Sequence, residues 1–154
     1  MKEGLKLRGD VIIERRRKNG EVIDREELKN LIVNVGKERV AKLLTLGVGG
    51  TAFGYIALGE SGSGDSVAVG DTALLAEVKR AQADNSGGNY EANYKAIWEK
   101  TFTFGSAESY SIKEAGISDS ASPSGETLLD RFVFAEKSVD VDTDLYVKVT
   151  VTVS

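Results

Sequence analysis

Along much of the chain apolar and polar residues alternate with a period of two, the pattern of half-buried strands. It is cleanest at the end, where Leu145, Val147, Val149, Val151 and Val153 alternate with Tyr146, Lys148, Thr150 and Thr152. This predicts an antiparallel strand with one face in a core and the other toward water. Leu128 to Lys137 reads as a second strand, with Phe132 and Phe134 on one face. The polar turn Asp140-Val141-Asp142-Thr143-Asp144 between them predicts a C-terminal hairpin. Near the start, Val11-Ile12-Ile13 leads to Asn19-Gly20, and Glu21-Val22-Ile23 leaves it. That dipeptide predicts a tight primed turn joining strands over about 7–18 and 21–25.

The middle is more varied. Phe53 to Leu58 reads as a strand closed by Gly59, and the Gly/Ser-rich stretch Glu60 to Gly70 as a surface loop. Asp71 is expected to cap a short helical turn over 72–77, followed by a strand from Glu77 to Ala83. Over 90–104, Tyr90, Ala92, Tyr94, Ala96, Trp98, Phe102 and Phe104 hold even positions, interrupted by Lys100. Tyr90, Tyr94, Ile97 and Trp98 also share a helical face, but the Thr-Phe-Thr-Phe end and the aromatic content favour a strand. One segment is helical. Asn34 is expected to cap a helix over about 35–46, with Val40, Leu43 and Leu44 on its buried face and Gly47 as its stop. Lys37, Glu38, Arg39 and Lys42 would then face water.

These elements predict a mainly β fold, an antiparallel β-sandwich or jelly-roll-like domain with one α-helix. Residues 31–154 form its β-rich structural domain, and residues 1–30 either an N-terminal arm or a hairpin of the same fold.

Composition acts mainly by exclusion. The 154 residues are 41% apolar and 29% charged, with no histidine and no cysteine. Imidazole bases, Ser-His-Asp and Cys-His nucleophile systems, disulfides and thiolate zinc sites are therefore excluded. A net charge of −4 does not favour nucleic acid, whose binding runs on phosphate neutralisation. No apolar stretch approaches the roughly 20 residues of a membrane span, and the charged N-terminus lacks the apolar region of a signal peptide. The basic run Arg15-Arg16-Arg17-Lys18 is the candidate partner-binding site, against the plainer reading of a solvated hairpin end.

Other candidate chemistry is weaker. Gly59 to Ser66 resembles a phosphate-cradling loop, but Asp65 stands where that loop needs lysine. Asp140, Asp142 and Asp144 have the opening spacing of a calcium loop, with Leu145 and Val151 where it needs Gly and Glu. Glu114, Glu126 and Asp130 are the nearest group of carboxylates for glycoside hydrolysis. Trp98, Tyr90 and Tyr94 would make a stacking platform if exposed, which opens the alternative of a carbohydrate-binding module. No catalytic, cofactor-binding or metal-ligating set is expected, and no enzyme.

Several segments carry a resemblance in their order. They are Asn30-Leu31-Ile32-Val33-Asn34-Val35-Gly36-Lys37, Phe53-Gly54-Tyr55-Ile56-Ala57-Leu58-Gly59, and Gly70-Asp71-Thr72-Ala73-Leu74-Leu75-Ala76-Glu77-Val78. Ile112-Lys113-Glu114-Ala115-Gly116-Ile117, Leu128 to Phe134 and the terminal Val-x-Val-x-Val strand follow. This set, over roughly residues 30–154, resembles small virion proteins of tailed bacteriophages, of the head decoration or tail fibre type. The resemblance implies a non-enzymatic structural protein of the virion, assembled in the host cytoplasm. Its partners would be the major capsid protein lattice or tail proteins, with no cofactor, nucleic acid or membrane. A homotrimer bound to an assembled head as a capsid decoration (cement) protein is the leading expectation, with a tail fibre or baseplate-attached protein as the alternative.

Overall fold

The computed structural model describes residues 4, 6–44, 51–61 and 66–154. Among them are β1 (Leu7–Arg17), β2 (Val22–Ile32), α1 (Asn34–Leu43), β3 (Tyr55–Gly59) and β4 (Glu77–Gln82). After these come β5 (Asn89–Glu91), β6 (Lys95–Phe102), β7 (Tyr110–Ser118), β8 (Leu128–Val139) and β9 (Thr143–Val153). The protein is mainly β with one helix. Its strands join antiparallel into one nine-stranded sheet, ordered β4-β3-β7-β8-β2-β1-β9-β6-β5 and curled into a half-barrel.

The alternating pattern fills the trough. Val147, Val149 and Val151 of β9 point inward, and Val11 and Ile13 of β1 lie directly beside Val149 and Val147. Leu28, Val11, Val149 and Trp98 thus form one row across four strands. The other arm brings Ile56, Leu58, Ile112, Ala115, Ile117 and Phe132 into the same core. Each fully buried Val, Leu, Ile or Phe side chain among them stabilises the fold by roughly 1.5–3 kcal/mol.

Two junctions hold the arms together. At the seam, β2 pairs with β8 only through Leu31 opposite Arg131 and Ile32 opposite Asp130. Across the open rim, the Trp98 indole N–H donates to the Phe53 carbonyl (2.9 Å) and the Asp84 amide to the Glu99 carbonyl (2.7 Å).

Several expectations are corrected. The predicted C-terminal hairpin is absent as a ladder, because β1 and β2 stand between β8 and β9 in the sheet. The Asn19-Gly20 turn is a three-residue loop closed by Arg17 N–H to Glu21 O (2.8 Å) and Gly20 N–H to Arg17 O (2.9 Å). Only Gly20 there has positive φ, at 88°, whereas a primed type I turn needs two such residues. Residues 90–104 are not one strand. Asn93 and Tyr94 have φ of 67° and 61° and break the run into β5 and β6, leaving Tyr90 and Tyr94 exposed.

The short helix over 72–77 does not form. The Leu75 and Ala76 amides, which a helical turn would use, donate to the Glu114 carboxylate at 3.1 and 2.7 Å. Helix α1 starts at Asn34, so Asn34 is not its cap; Val33 holds that position without a side-chain bond. The amides of Val33 and Asn34 are already taken by the Leu129 and Val69 carbonyls. Gly36 lies so close to the Leu129 backbone that an added Cβ would be 2.4 Å from the Leu129 oxygen. That seating turns Leu43 and Leu44 outward, 45% and 77% exposed, against the expected buried face. Arg39, expected in water, instead pairs with Asp119 and donates to the Thr127 hydroxyl (2.8 Å). Gly47 and residues 62–65 of the Gly/Ser loop lie outside the described residues.

Candidate functional site: a helix–strand groove and a charged hairpin tip

Helix α1 leaves the end of β2, is pinned through Gly36 to β8, and passes the start of β1. Its residues Lys37, Val40, Ala41 and the following Leu44 are spaced to share one helical face. With Lys6 and Leu7 they line a groove of about 540 Å³. The backbone of Lys6 is fixed by reciprocal bonds with Ser154 (2.6 and 2.9 Å), which holds the strand wall in place. The floor and the helical wall are apolar, and the two lysines stand on the rim. Among the described residues neither Lys6 nor Lys37 has an acidic partner. The arrangement can receive an apolar side chain and neutralise a carboxylate beside it.

The basic run sits at the tip of the β1–β2 hairpin, and each of its cations holds an acid of this chain. Arg15 makes a two-pronged bond to Asp24 (2.9 and 2.7 Å) and reaches the Ser138 carbonyl (3.3 Å). Arg16 is bonded to Glu14 (2.8 and 2.6 Å) and stacks 4.0 Å above the Tyr146 ring. Arg17 stands 3.6 Å from Glu21, and Lys18 pairs with Asp144. The Arg15 bond holds the Asp24 carboxyl below its ordinary range. Burial and the hydrogen bond to Glu99 push the Tyr146 phenol up. Around the tip Glu14, itself nearly buried, also takes Arg25 (3.2 Å). The four cations are therefore parts of a neutralised ladder, unlike Lys6 and Lys37.

The remaining candidates are placed apart from one another. Glu114 is fully buried with Arg131 (2.8 Å), which also reaches Asp71 (3.1 Å). Glu126 is held by Arg80 (2.7 Å) and the Ser118 hydroxyl (2.6 Å). Asp130 accepts the Ile117 amide (2.8 Å) and the Asn30 amide group. These three carboxylates serve three different networks and do not face each other across a cleft. Asp140 accepts the Asp142 amide (2.9 Å) in a tight turn. Among the described residues no group of three or more acidic side chains could hold a metal ion. Trp98 is buried at 7% exposure, so it cannot share a stacking platform with the exposed Tyr90 and Tyr94.

The groove was partly written in the sequence. The spacing of Lys37, Val40, Ala41 and Leu44 carries it, but the same pattern serves a helix packed on a core. The buried ion pairs have no such signal, since Arg39 and Asp119 are 80 residues apart. Compared with known proteins, the chain matches no protein-family model, no curated protein and no solved structure.

Proposed function

We propose that the protein is a non-enzymatic structural component of a tailed-bacteriophage particle, a capsid decoration protein that binds the assembled head lattice through the α1–β1 groove. The observation that carries this reading is the groove itself, an exposed and largely apolar channel edged by two lysines that have no acidic partner among the described residues. Its charge and shape fit a capsid segment that presents an apolar side chain flanked by Asp or Glu. The order of segments that resembles small virion proteins supports the same class. A mainly β body, one nine-stranded antiparallel sheet curled into a half-barrel, is compatible with the same class. Binding the lattice and not the free subunit would stabilise the shell by mass action. Repetition over many sites, as a trimer at local three-fold positions, would multiply a modest contact.

Because β1 and β2 are neighbouring strands in the middle of the sheet, the contact is tested by point substitution and not by truncation. Val40→Asp and the charge reversal Lys37→Glu are each expected to weaken co-sedimentation with undecorated capsids at least tenfold. Thermal unfolding should change little for Lys37→Glu, whose side chain is exposed. Full capsid binding by both variants would refute the groove assignment. Binding of wild type to isolated tails and not to heads would move the protein to a tail fibre or baseplate.

A further inference from the structure

The seam between the two arms contains a buried carboxyl with no cation beside it. Asp130 is fully buried on β8, in the pair that joins β8 to β2. Its side chain accepts the Ile117 amide of β7 (2.8 Å) and the side-chain amide of Asn30 on β2. The other end of that amide, Asn30 Oδ1, is buried without a donor. It lies over Gly9 of β1, where an added Cβ would fall 1.2 Å from it. Among the described residues no cation pairs with Asp130; Lys37 of α1, Lys113 of β7 and Glu136 of β8 make no ion pair, and other charges on the surrounding elements are engaged elsewhere. Arg131 of β8 is held by Glu114 of β7, Arg39 of α1 by Asp119, and Arg80 of β4 by Glu77 and Glu126. On β1 and β2, Arg8 and Lys29 are held by Asp10, and Glu26 by Lys137 of β8.

We propose that Asp130 is a proton-controlled latch of the half-barrel, closing the β2–β8 seam when it is neutral and loosening it when it is ionised. The neutral acid places no charge at the seam. A half-turn of the Asn30 amide lets the Asp130 hydroxyl donate to Asn30 Oδ1, while the other carboxyl oxygen keeps the Ile117 amide. Ionised, the group is a charge without a counterion at a junction only two residue pairs long. Opening the seam hydrates the carboxylate, so opening and proton release are coupled. Burial, opposed only by the bonds from Ile117 and Asn30, raises the Asp130 carboxyl to about 7. The latch is therefore tight in mild acid and weakens up to neutrality. This holds whatever the protein's partner.

The test is residue-resolved amide exchange from about pH 4.5 to 8.5, corrected for the intrinsic rate, alongside the carbon-detected titration of the Asp130 carboxyl. The opening constant at Val33 and Ile117 is expected to rise by up to roughly tenfold per pH unit and to level off near 7, where the carboxyl itself titrates. Val149, in the β1–β9 ladder, should show no such rise. Asp130→Asn, which mimics the neutral acid, should abolish the slope. A carboxyl midpoint below 5, an equal slope at Val149, or a slope that survives in Asp130→Asn would overturn the proposal. If Asp130→Asn does not fold, the wild-type titration and the comparison of Ile117 with Val149 still decide it.

Discussion

Glu114 shows how much a single residue can organise here. Its carboxylate is fully buried, binds Arg131 at 2.8 Å, and takes the amides of Leu75 and Ala76. It thereby stops residues 71–77 from coiling into the helical turn that their sequence favours. Arg131 in turn has one guanidinium nitrogen, Nη2, buried without an acceptor, and its other carboxylate partner is the partly exposed Asp71 at 3.1 Å. Removing one member of a buried pair costs about 3–5 kcal/mol, because the other charge is left uncompensated. Glu114→Gln is accordingly expected to lower the unfolding free energy by about that amount, read as a shift in the urea midpoint. A change under about 1 kcal/mol would mean that Asp71, already 3.1 Å from Arg131, compensates its charge alone. None of this was legible beforehand, for the alternation around Glu114 and Arg131 reads as ordinary strand. Which charges turn inward is set by partners 17 or more residues away.

At the scale of elements, the strands were legible and the turns were not. The strong Asn19-Gly20 signal located a real hairpin, yet the loop has three residues because Arg17 pairs with Glu21. The turn with two positive-φ residues sits instead at Asn93-Tyr94, inside a run whose even-numbered aromatics looked continuous. Tyr94 is a poor residue for that backbone. A left-handed conformation costs a side chain roughly 1–2 kcal/mol, a cost that glycine escapes. Since Tyr94 is 70% exposed, little packing is lost on replacing it. Tyr94→Gly, which restores the favoured Asn-Gly pair, should therefore stabilise the protein by about 0.5–1 kcal/mol, measured by thermal denaturation. A loss of stability of similar size would show that the tyrosine ring makes a contact that outweighs the strain. The helix repeats the lesson. Its existence and length were legible, but the face it buries is decided by Gly36 against Leu129, not by its leucines.

The molecule as a whole is where local pattern carried least. Strand order depends on long-range pairing, and the insertion of β1 and β2 between β8 and β9 leaves no trace in either strand's own alternation. It is also the scale at which carboxylates of opposite behaviour add. Hydrogen bonding and charge from Arg15 lower Asp24; burial works against Lys29 at Asp10 and Lys100 at Asp84, but both carboxyls still end below the ordinary value. Such groups contribute stability above pH 3.8 that is lost as the pH falls further. Each carboxylate is a third or more exposed, so solvent screening leaves each a contribution of only about a few tenths of a kcal/mol, at the level of a surface ion pair. Asp130 has the opposite sign. Its folded-state value lies near 7 against 3.8 unfolded, so its contribution is complete below 3.8 and declines as the pH rises to about 7. The two windows do not overlap, and together these four carboxyls contribute most near pH 4. The urea midpoint of the wild type should therefore fall from pH 5 to 7 and then level off. In Asp130→Asn it should stay flat across the same interval. A wild-type maximum at neutral pH would show that Asp130 ionises at little cost, and that water reaches the seam in the folded state.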